Sequence, residues 1–307
     1  MILFVSGRCD IPAFYMQWFM KRLTAGFVDV RNPFNEHQIS RILLNEDMVD
    51  CLFFCTKNPI PMLPYLDEIK LPYFVHVTVT PYHSDMECRV PDKRTILQAV
   101  KDMAVKLGKD RVMLRYYPII LNDRYTVVYH QRAFHHLLQE LSGYIDTCII
   151  SFVDLYKNTR ANQSLIRMKP ITPDDIYALC SSFQKDAALY GFQIQTCAEG
   201  KIDLKRYRIY DRPCVELEAV QKLCGKNLQY RKIAGVRKQL CGCLPTVDIG
   251  DYNACAHECL YCYANYNARS IRERMAAHDP NASVLLGHIE AQDSITIRKD
   301  YKKKSAV

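Results

Sequence analysis

A (β/α) barrel of the TIM type is the fold this sequence predicts, and three observations lead there. Short apolar runs recur along the chain, amphipathic helical stretches separate them, and the runs end in polar or glycine-containing loops. Strands alternating with helices imply a parallel sheet joined by crossover helices. The apolar runs are residues 2–5, 27–30, 51–55, 74–79, 112–116, 148–153, 192–196 and 244–249, enough for the eight strands of such a barrel.

Helical periodicity is read over residues 14–23, 37–44, 94–107, 131–141 and 176–190. Asp92 precedes the third as an N-cap. Thr172-Pro173-Asp174-Asp175 opens the last, with proline in the first turn and acids beside the dipole. Residues 200–240 read as basic and mostly helical, most clearly over 215–223. A further helix is expected over 264–277, with Ile271 and Met275 on its buried stripe, and a helix plus a short strand over 283–297. No repeat or low-complexity linker interrupts the pattern. The expectation is one domain over residues 1–298, with a cysteine loop at 250–265 and a disordered basic tail at 299–307.

The chain has 307 residues, 49% hydrophobic and 24% charged, as in ordinary globular proteins. Part of the net charge of +8 is the tail Lys302, Lys303 and Lys304, and such a balance favours anionic ligands only weakly. The opening Met1-Ile2-Leu3-Phe4-Val5 reads as a buried strand rather than a signal peptide. No apolar run approaches the roughly 20 residues that span a bilayer. A cytoplasmic protein without membrane partners is expected. In that setting fourteen cysteines argue against a disulfide framework. Cys51, Cys148 and Cys180 read as core residues, while Cys241, Cys243, Cys255, Cys259 and Cys262 gather late in the chain.

Strand ends carry the chemistry of parallel α/β folds. Here they comprise residues 6–10, 31–33, 56–59, 115–116, 154 and 197–199. Lys57, Arg115, Asp154, Cys197 and Glu199 are therefore candidate catalytic residues. Lys57 and Arg115 suit a carboxylate or phosphate, or an internal ion pair with Asp154 or Glu199. Cys241-Gly242-Cys243, with Cys197, reads as a tight turn of buried thiols, a second metal centre, or a reactive thiol. His257 suits a sulfide hydrogen bond, a proton relay or a cap. The pair His135-His136 lies on a helix away from every strand end and reads as surface or core rather than as a ligand pair.

The segment Cys255-Ala256-His257-Glu258-Cys259-Leu260-Tyr261-Cys262-Tyr263-Ala264 follows a strand and opens a helix. Its C-x3-C-x2-C spacing gives three thiolates on one tight loop, one for each of three irons of a cubane, and leaves the fourth iron open. The motif resembles the signature of the radical S-adenosylmethionine superfamily, and its Tyr-Cys-Tyr-Ala ending resembles the spore photoproduct lyase branch. The resemblance implies a 4Fe–4S cluster on Cys255, Cys259 and Cys262, with S-adenosylmethionine chelated by the open iron. Reduction would then yield a 5′-deoxyadenosyl radical that abstracts hydrogen from the substrate. An external electron donor of flavodoxin or ferredoxin type is implied. Tyr261, and with it Tyr263, would face the adenine.

In the superfamily this loop follows the first barrel strand, whereas here it follows the last. A circularly permuted barrel reconciles the two, with residues 244–249 leading spatially to residues 2–5. The loop Ser6-Gly7-Arg8-Cys9-Asp10 would then replace the superfamily's glycine-rich amine-binding stretch, making Arg8 and Asp10 cofactor-binding candidates. The chain is also similar, over nearly its whole length, to an uncharacterised prokaryotic family of unknown function. It shares Arg-x-Asp-Ile-Pro-Ala-Phe-Tyr (8–15), Thr-Lys-Asn-Pro with Pro-Met (56–62), and Cys-Gly-Cys before Asp-Ile-Gly-x-Tyr (241–252). Tyr117 stands where that family's pattern has an aspartate. Three other readings stay open: a nucleic-acid-directed radical enzyme, an electron carrier with Cys241 or Cys243 as fourth thiolate, and a structural zinc module.

Overall fold

Parallel pairing dominates the computed structural model, which describes residues 1–199, 203–230 and 241–299. Its strands are β1 (Ile2–Val5), β2 (Phe27–Asn32), β3 (Asn35–Leu43), β4 (Cys51–Thr56), β5 (Tyr73–Thr78), β6 (Val112–Ile119), β7 (Thr147–Phe152), β8 (Gln193–Thr196), β9 (Tyr210–Asp211), β10 (Thr246–Asp248) and β11 (Ser294–Ile297). Eight form one sheet in the order β10-β1-β4-β5-β6-β7-β8-β9, and every neighbouring pair is parallel. The protein is thus an α/β fold built on a large parallel sheet. Among the described residues no ladder joins β9 to β10, so the ring expected of a TIM-type barrel is not closed by hydrogen bonds.

The strands are nearly continuous apolar runs because both faces are covered. Leu3, Leu52, Phe54, Val75, Val77, Leu114 and Ile150 belong to one core that includes the flanking helices, whereas Ile2, Cys51, Phe53 and Phe74 join Val215, Val220 and Leu228 in a second. The period-2 alternation of strand side chains divides these two sets. The crossover helices Lys93–Leu107, Val127–Leu141 and Pro173–Tyr190 begin on Asp92, Thr126 and Thr172, each accepting a backbone N–H. Thr172 and Asp175 complete a capping box. Phe134 stacks on Phe183 at 3.9 Å and ties two of these helices together. His135 pairs with Asp186 across the same helices at 2.8 Å.

Several expectations fail. The run at 27–30 is a strand, but it leaves the main sheet for a three-stranded one, β11-β3-β2; β9 supplies the eighth main-sheet strand instead. Its strand-end loop at 31–33 therefore joins a hairpin, and Arg31 pairs with Asp293. Residues 37–44 are not helical. Ile39 and Ile42, three apart, mimic a helical stripe, but Ile42 pairs opposite Val28, and Ile39 opposite Ile295 from the far end of the chain. The cross-strand pair Arg41–Asp29, at 2.8 Å, reinforces that register. The small sheet shares the main core through Val28 and Ile42. Within 200–240 the described helix is Leu217–Cys224, and residues 231–240 lie outside the described residues. The post-cysteine helix is shorter than expected, Ala268–Ala276, and the stretch 283–297 contributes β11 without a helix. From residue 300 onward the basic tail lies outside the described residues. Among the described residues no helix is long and apolar enough to cross a membrane.

Candidate functional site

The site is built where the last strand of the large sheet to be reached along the chain, β10, meets the first, β1. β10 lies beside β1, with Phe4 opposite Asp248. Asp248 locks the two strand ends: Oδ1 accepts from Ser6 Oγ at 2.6 Å and Gly250 N at 2.8 Å, and Oδ2 accepts from Gly7 N at 2.8 Å. Burial raises the Asp248 pKa, against the lowering effect of these bonds and of Arg8. Gly250 is required by close approach, since a Cβ there would lie 2.0 Å from Ser6 Oγ and 2.9 Å from Cys9 Sγ. Gly250→Ala is expected to lower the unfolding free energy by about 1–3 kcal/mol, measured by urea denaturation; unchanged stability would show that the seam is loosely packed.

The cysteine loop then folds on itself. Asn253 and Glu258 take left-handed backbone angles (φ 54° and 51°), a region asparagine tolerates better than most residues. Asn253 N donates to Ala264 O at 3.0 Å, Asn265 Nδ2 to Cys255 O at 3.0 Å, and Cys262 N to Cys259 O at 3.1 Å. Neighbouring elements grip its backbone: Tyr15 Oη donates to Ala254 O (2.8 Å), Asn158 Nδ2 to Tyr263 O (2.9 Å) and Asn162 Nδ2 to Leu260 O (2.6 Å). These contacts fix Cys255, Cys259 and Cys262 on one loop, with their sulfurs spaced more widely than the compact group of Cys197, Cys214 and Cys243. Burial raises the pKa of all three thiols, and Lys57 opposes it at Cys259 and Cys262.

Two buried carboxylates organise the wall facing the loop. Asp10 caps the short helix Ile11–Phe14 through Oδ1 (Ala13 N, 3.1 Å), while Oδ2 accepts from Lys57 N at 2.7 Å and pairs with His257 Nε2 at 2.9 Å. It therefore ties the β1 and β4 loops to the cysteine loop. Glu87, 2% exposed, bridges Lys57 Nζ (2.6 Å) and Lys93 Nζ, and accepts from the Tyr261 hydroxyl. Burial alone would raise its carboxyl, but the two ammonium groups outweigh that and hold its pKa at about 2. Lys57 also lies 5.4 Å from the Tyr261 ring centroid.

The remaining candidates are placed as follows. Arg8 Nη1 donates to Gly250 O at 3.3 Å and lies over the Tyr252 ring. Tyr263 is 43% exposed, donates to Gly7 O and leans on Tyr156. Arg115 is buried on β6, where Nη1 contacts Cys55 Sγ at 2.8 Å between the rings of Phe53 and Tyr117. Neither Lys57 nor Arg115 pairs with Asp154 or Glu199: the partners are Glu87 and a thiol. Glu199 accepts from Ser151 Oγ (2.6 Å) and Phe152 N (3.0 Å), and burial raises its pKa. Asp154 is exposed at the end of β7. Cys197 turns away from the loop cysteines toward Cys241 and Cys243, at 3.8 and 3.6 Å. Sequence reasoning missed Glu87, Lys93, Asp248 and Cys214. For Asp248 a signal existed, an acid closing an apolar run just before glycine; the other three carry none in their local sequence.

The fold and site together define a parallel α/β protein that carries three cysteines on one braced loop beyond the carboxyl end of a strand. A family model described as "Domain of unknown function (DUF1848)" matches residues 2–264, and the chain belongs to that family. No curated protein matches it. A solved structure, that of a putative alpha-L-fucosidase from Bacteroides thetaiotaomicron, matches 76% of this chain and 82% of its own at 10% identity, with a TM-score of 0.23. A likeness that slight bears on neither fold nor function.

Proposed function

We propose that this protein is a radical S-adenosylmethionine-type enzyme, with a 4Fe–4S cluster held by Cys255, Cys259 and Cys262. The observation that carries the reading is the C-x3-C-x2-C motif itself, its three cysteines held on one braced loop that follows a strand's carboxyl end. The donor set fits the group: three soft thiolates with no fourth cysteine in the motif, beside the cationic Lys57. Three buried polar atoms of the same loop, His257 Nδ1, Glu258 Oε1 and Asn265 Oδ1, lack hydrogen-bond partners. Cys241 and Cys243 are drawn to Cys197 instead, which disfavours them as a fourth ligand and an electron-carrier role with it.

The bound cluster would supply one electron, received from an external flavodoxin- or ferredoxin-type donor, for reductive cleavage of S-adenosylmethionine. The protein's own residues shape the setting. The exposed Tyr263 beside Cys262 offers aromatic surface to the adenine, while the buried Tyr261, its hydroxyl fixed by Glu87, would meet the adenine side only with its edge. Arg8 supplies positive charge for the methionyl carboxylate. Both Asp10 oxygens already accept hydrogen bonds, so we assign it to positioning His257 and the Lys57 backbone. Glu199 and Asp154 are left for a substrate whose hydrogen is abstracted, whereas Arg115 is already engaged by Cys55. The spatial order β10-β1-β4 supports a permuted relation to the superfamily, with the cysteine loop after the spatially first strand.

The test is anaerobic reconstitution with iron and sulfide, followed by dithionite and S-adenosylmethionine. Methionine and 5′-deoxyadenosine are expected by mass spectrometry. A cluster-loaded protein that forms neither contradicts the reading.

A further inference from the structure

We propose that Cys197, Cys214, Cys241 and Cys243 form a second, separate metal site that holds a single tetrahedral zinc-type ion. Cys197, Cys214 and Cys243 place their sulfurs within 4.8 Å of one another. Cys197 Sγ lies 3.6 Å from Cys243 Sγ and 3.8 Å from Cys241 Sγ. Four sulfurs at about 2.3 Å around one tetrahedral zinc stand about 3.8 Å apart along each edge; the Cys197–Cys243 and Cys197–Cys241 edges match this, while Cys241 lies outside the compact triad and would close in on the ion as the fourth ligand. Ligands to a cubane sit on separate irons and stand farther apart. A disulfide requires sulfurs at about 2.05 Å, and these cysteines are free.

The surroundings suit thiolates rather than packed thiols. Cys214 N donates to Cys243 Sγ at 3.0 Å, a bond that favours the charged sulfur. The buried Arg115 reaches Cys214 as well as Cys55. Four thiolates around a divalent ion carry two net negative charges, and a buried guanidinium offsets part of that cost. Gly242 allows the approach: a Cβ there would lie 3.2 Å from Pro213 Cγ. Leu244 N donates to Val215 O at 3.1 Å, so the two cysteine-bearing segments run side by side.

The placement assigns a structural role. Cys197 follows β8, Cys214 follows β9, and Cys241 and Cys243 precede β10. β9 and β10 are the two edges of the large sheet. One ion on these four ligands would fasten the last strands of one edge to the segment entering the other, where no described ladder does so. With four protein ligands it would keep no open position, as in structural zinc sites.

The test uses the Cys255→Ser/Cys259→Ser/Cys262→Ser triple variant, so that its outcome is independent of the proposed cluster. Purified anaerobically, the triple variant is expected to retain one zinc per chain by elemental analysis. Adding Cys214→Ser and Cys243→Ser should remove that zinc. X-ray absorption at the zinc edge of the triple variant should show four sulfur ligands at about 2.3 Å, a readout that does not require the five-fold variant to fold. A metal-free triple variant, iron with sulfide in place of zinc, zinc retained without Cys214 and Cys243, or a nitrogen- and oxygen-rich shell would each overturn the proposal.

Discussion

Replacing any one of Cys255, Cys259 and Cys262 by serine is expected to abolish 5′-deoxyadenosine formation and strip most of the reconstituted iron. Outer-shell partners of metal ligands are worth about 10–100-fold, so a direct ligand should cost more than about a hundredfold. The three thiols are not interchangeable in setting. Cys255 is the deepest, its carbonyl held by Asn265, while Cys259 lies against Glu87 in an isolated bridge and beside Lys57. Loss should nevertheless be complete at each, because the motif offers no spare thiolate. Cys224→Ala, at the end of the helix Leu217–Cys224, should leave iron content and product unchanged. Equal iron in the single-serine variants and the wild type, by colorimetric assay, would refute the ligand assignment.

Glu87→Gln is expected to lower the unfolding free energy at neutral pH by about 3 kcal/mol, the low end for breaking a buried ion pair. The low end applies because the side chains of Lys57 and Lys93 remain 14% and 29% exposed. The substitution leaves two ammonium groups facing each other beside Cys259. A carboxyl depressed from 4.5 to about 2 in the folded protein adds stability that is fully present above pH 4.5. That contribution is lost progressively as the pH falls from 4.5 through the folded value of about 2, below which Glu87 is protonated in both states. The difference between wild type and variant should therefore shrink across that acid window. Denaturant titrations at several pH values measure it, and a constant difference would show that Glu87 does not act through its charge.

The elements legible in the sequence were those whose signal is local. Strands of the large sheet are short apolar runs, and the helices announce themselves through Asp92 and Thr172-Pro173-Asp174-Asp175. The cysteine loop was legible for the same reason, being one contiguous motif between a strand and a helix. What escaped depends on distant partners. The strand β3 has a helix-like spacing of isoleucines and is decided by β11, which arrives from the end of the chain. Glu87 gains its role from Lys57, 30 residues away, and Tyr261, 174 residues away. Cys214 is a lone thiol between Pro213 and Val215, and only the fold brings it to Cys197 and Cys243. Asp10 was legible as a polar residue at a strand end, but its bonds to His257 and Lys57 were not.

The central claim is that the three-cysteine cluster keeps an iron open for S-adenosylmethionine. Electron paramagnetic resonance of the reconstituted, dithionite-reduced protein, recorded before and after adding S-adenosylmethionine, tests it most directly. The account predicts a reduced 4Fe–4S signal whose g-values change on addition, because the cofactor's amino and carboxylate groups then coordinate the open iron. A well-developed cluster signal that is identical with and without S-adenosylmethionine would contradict it.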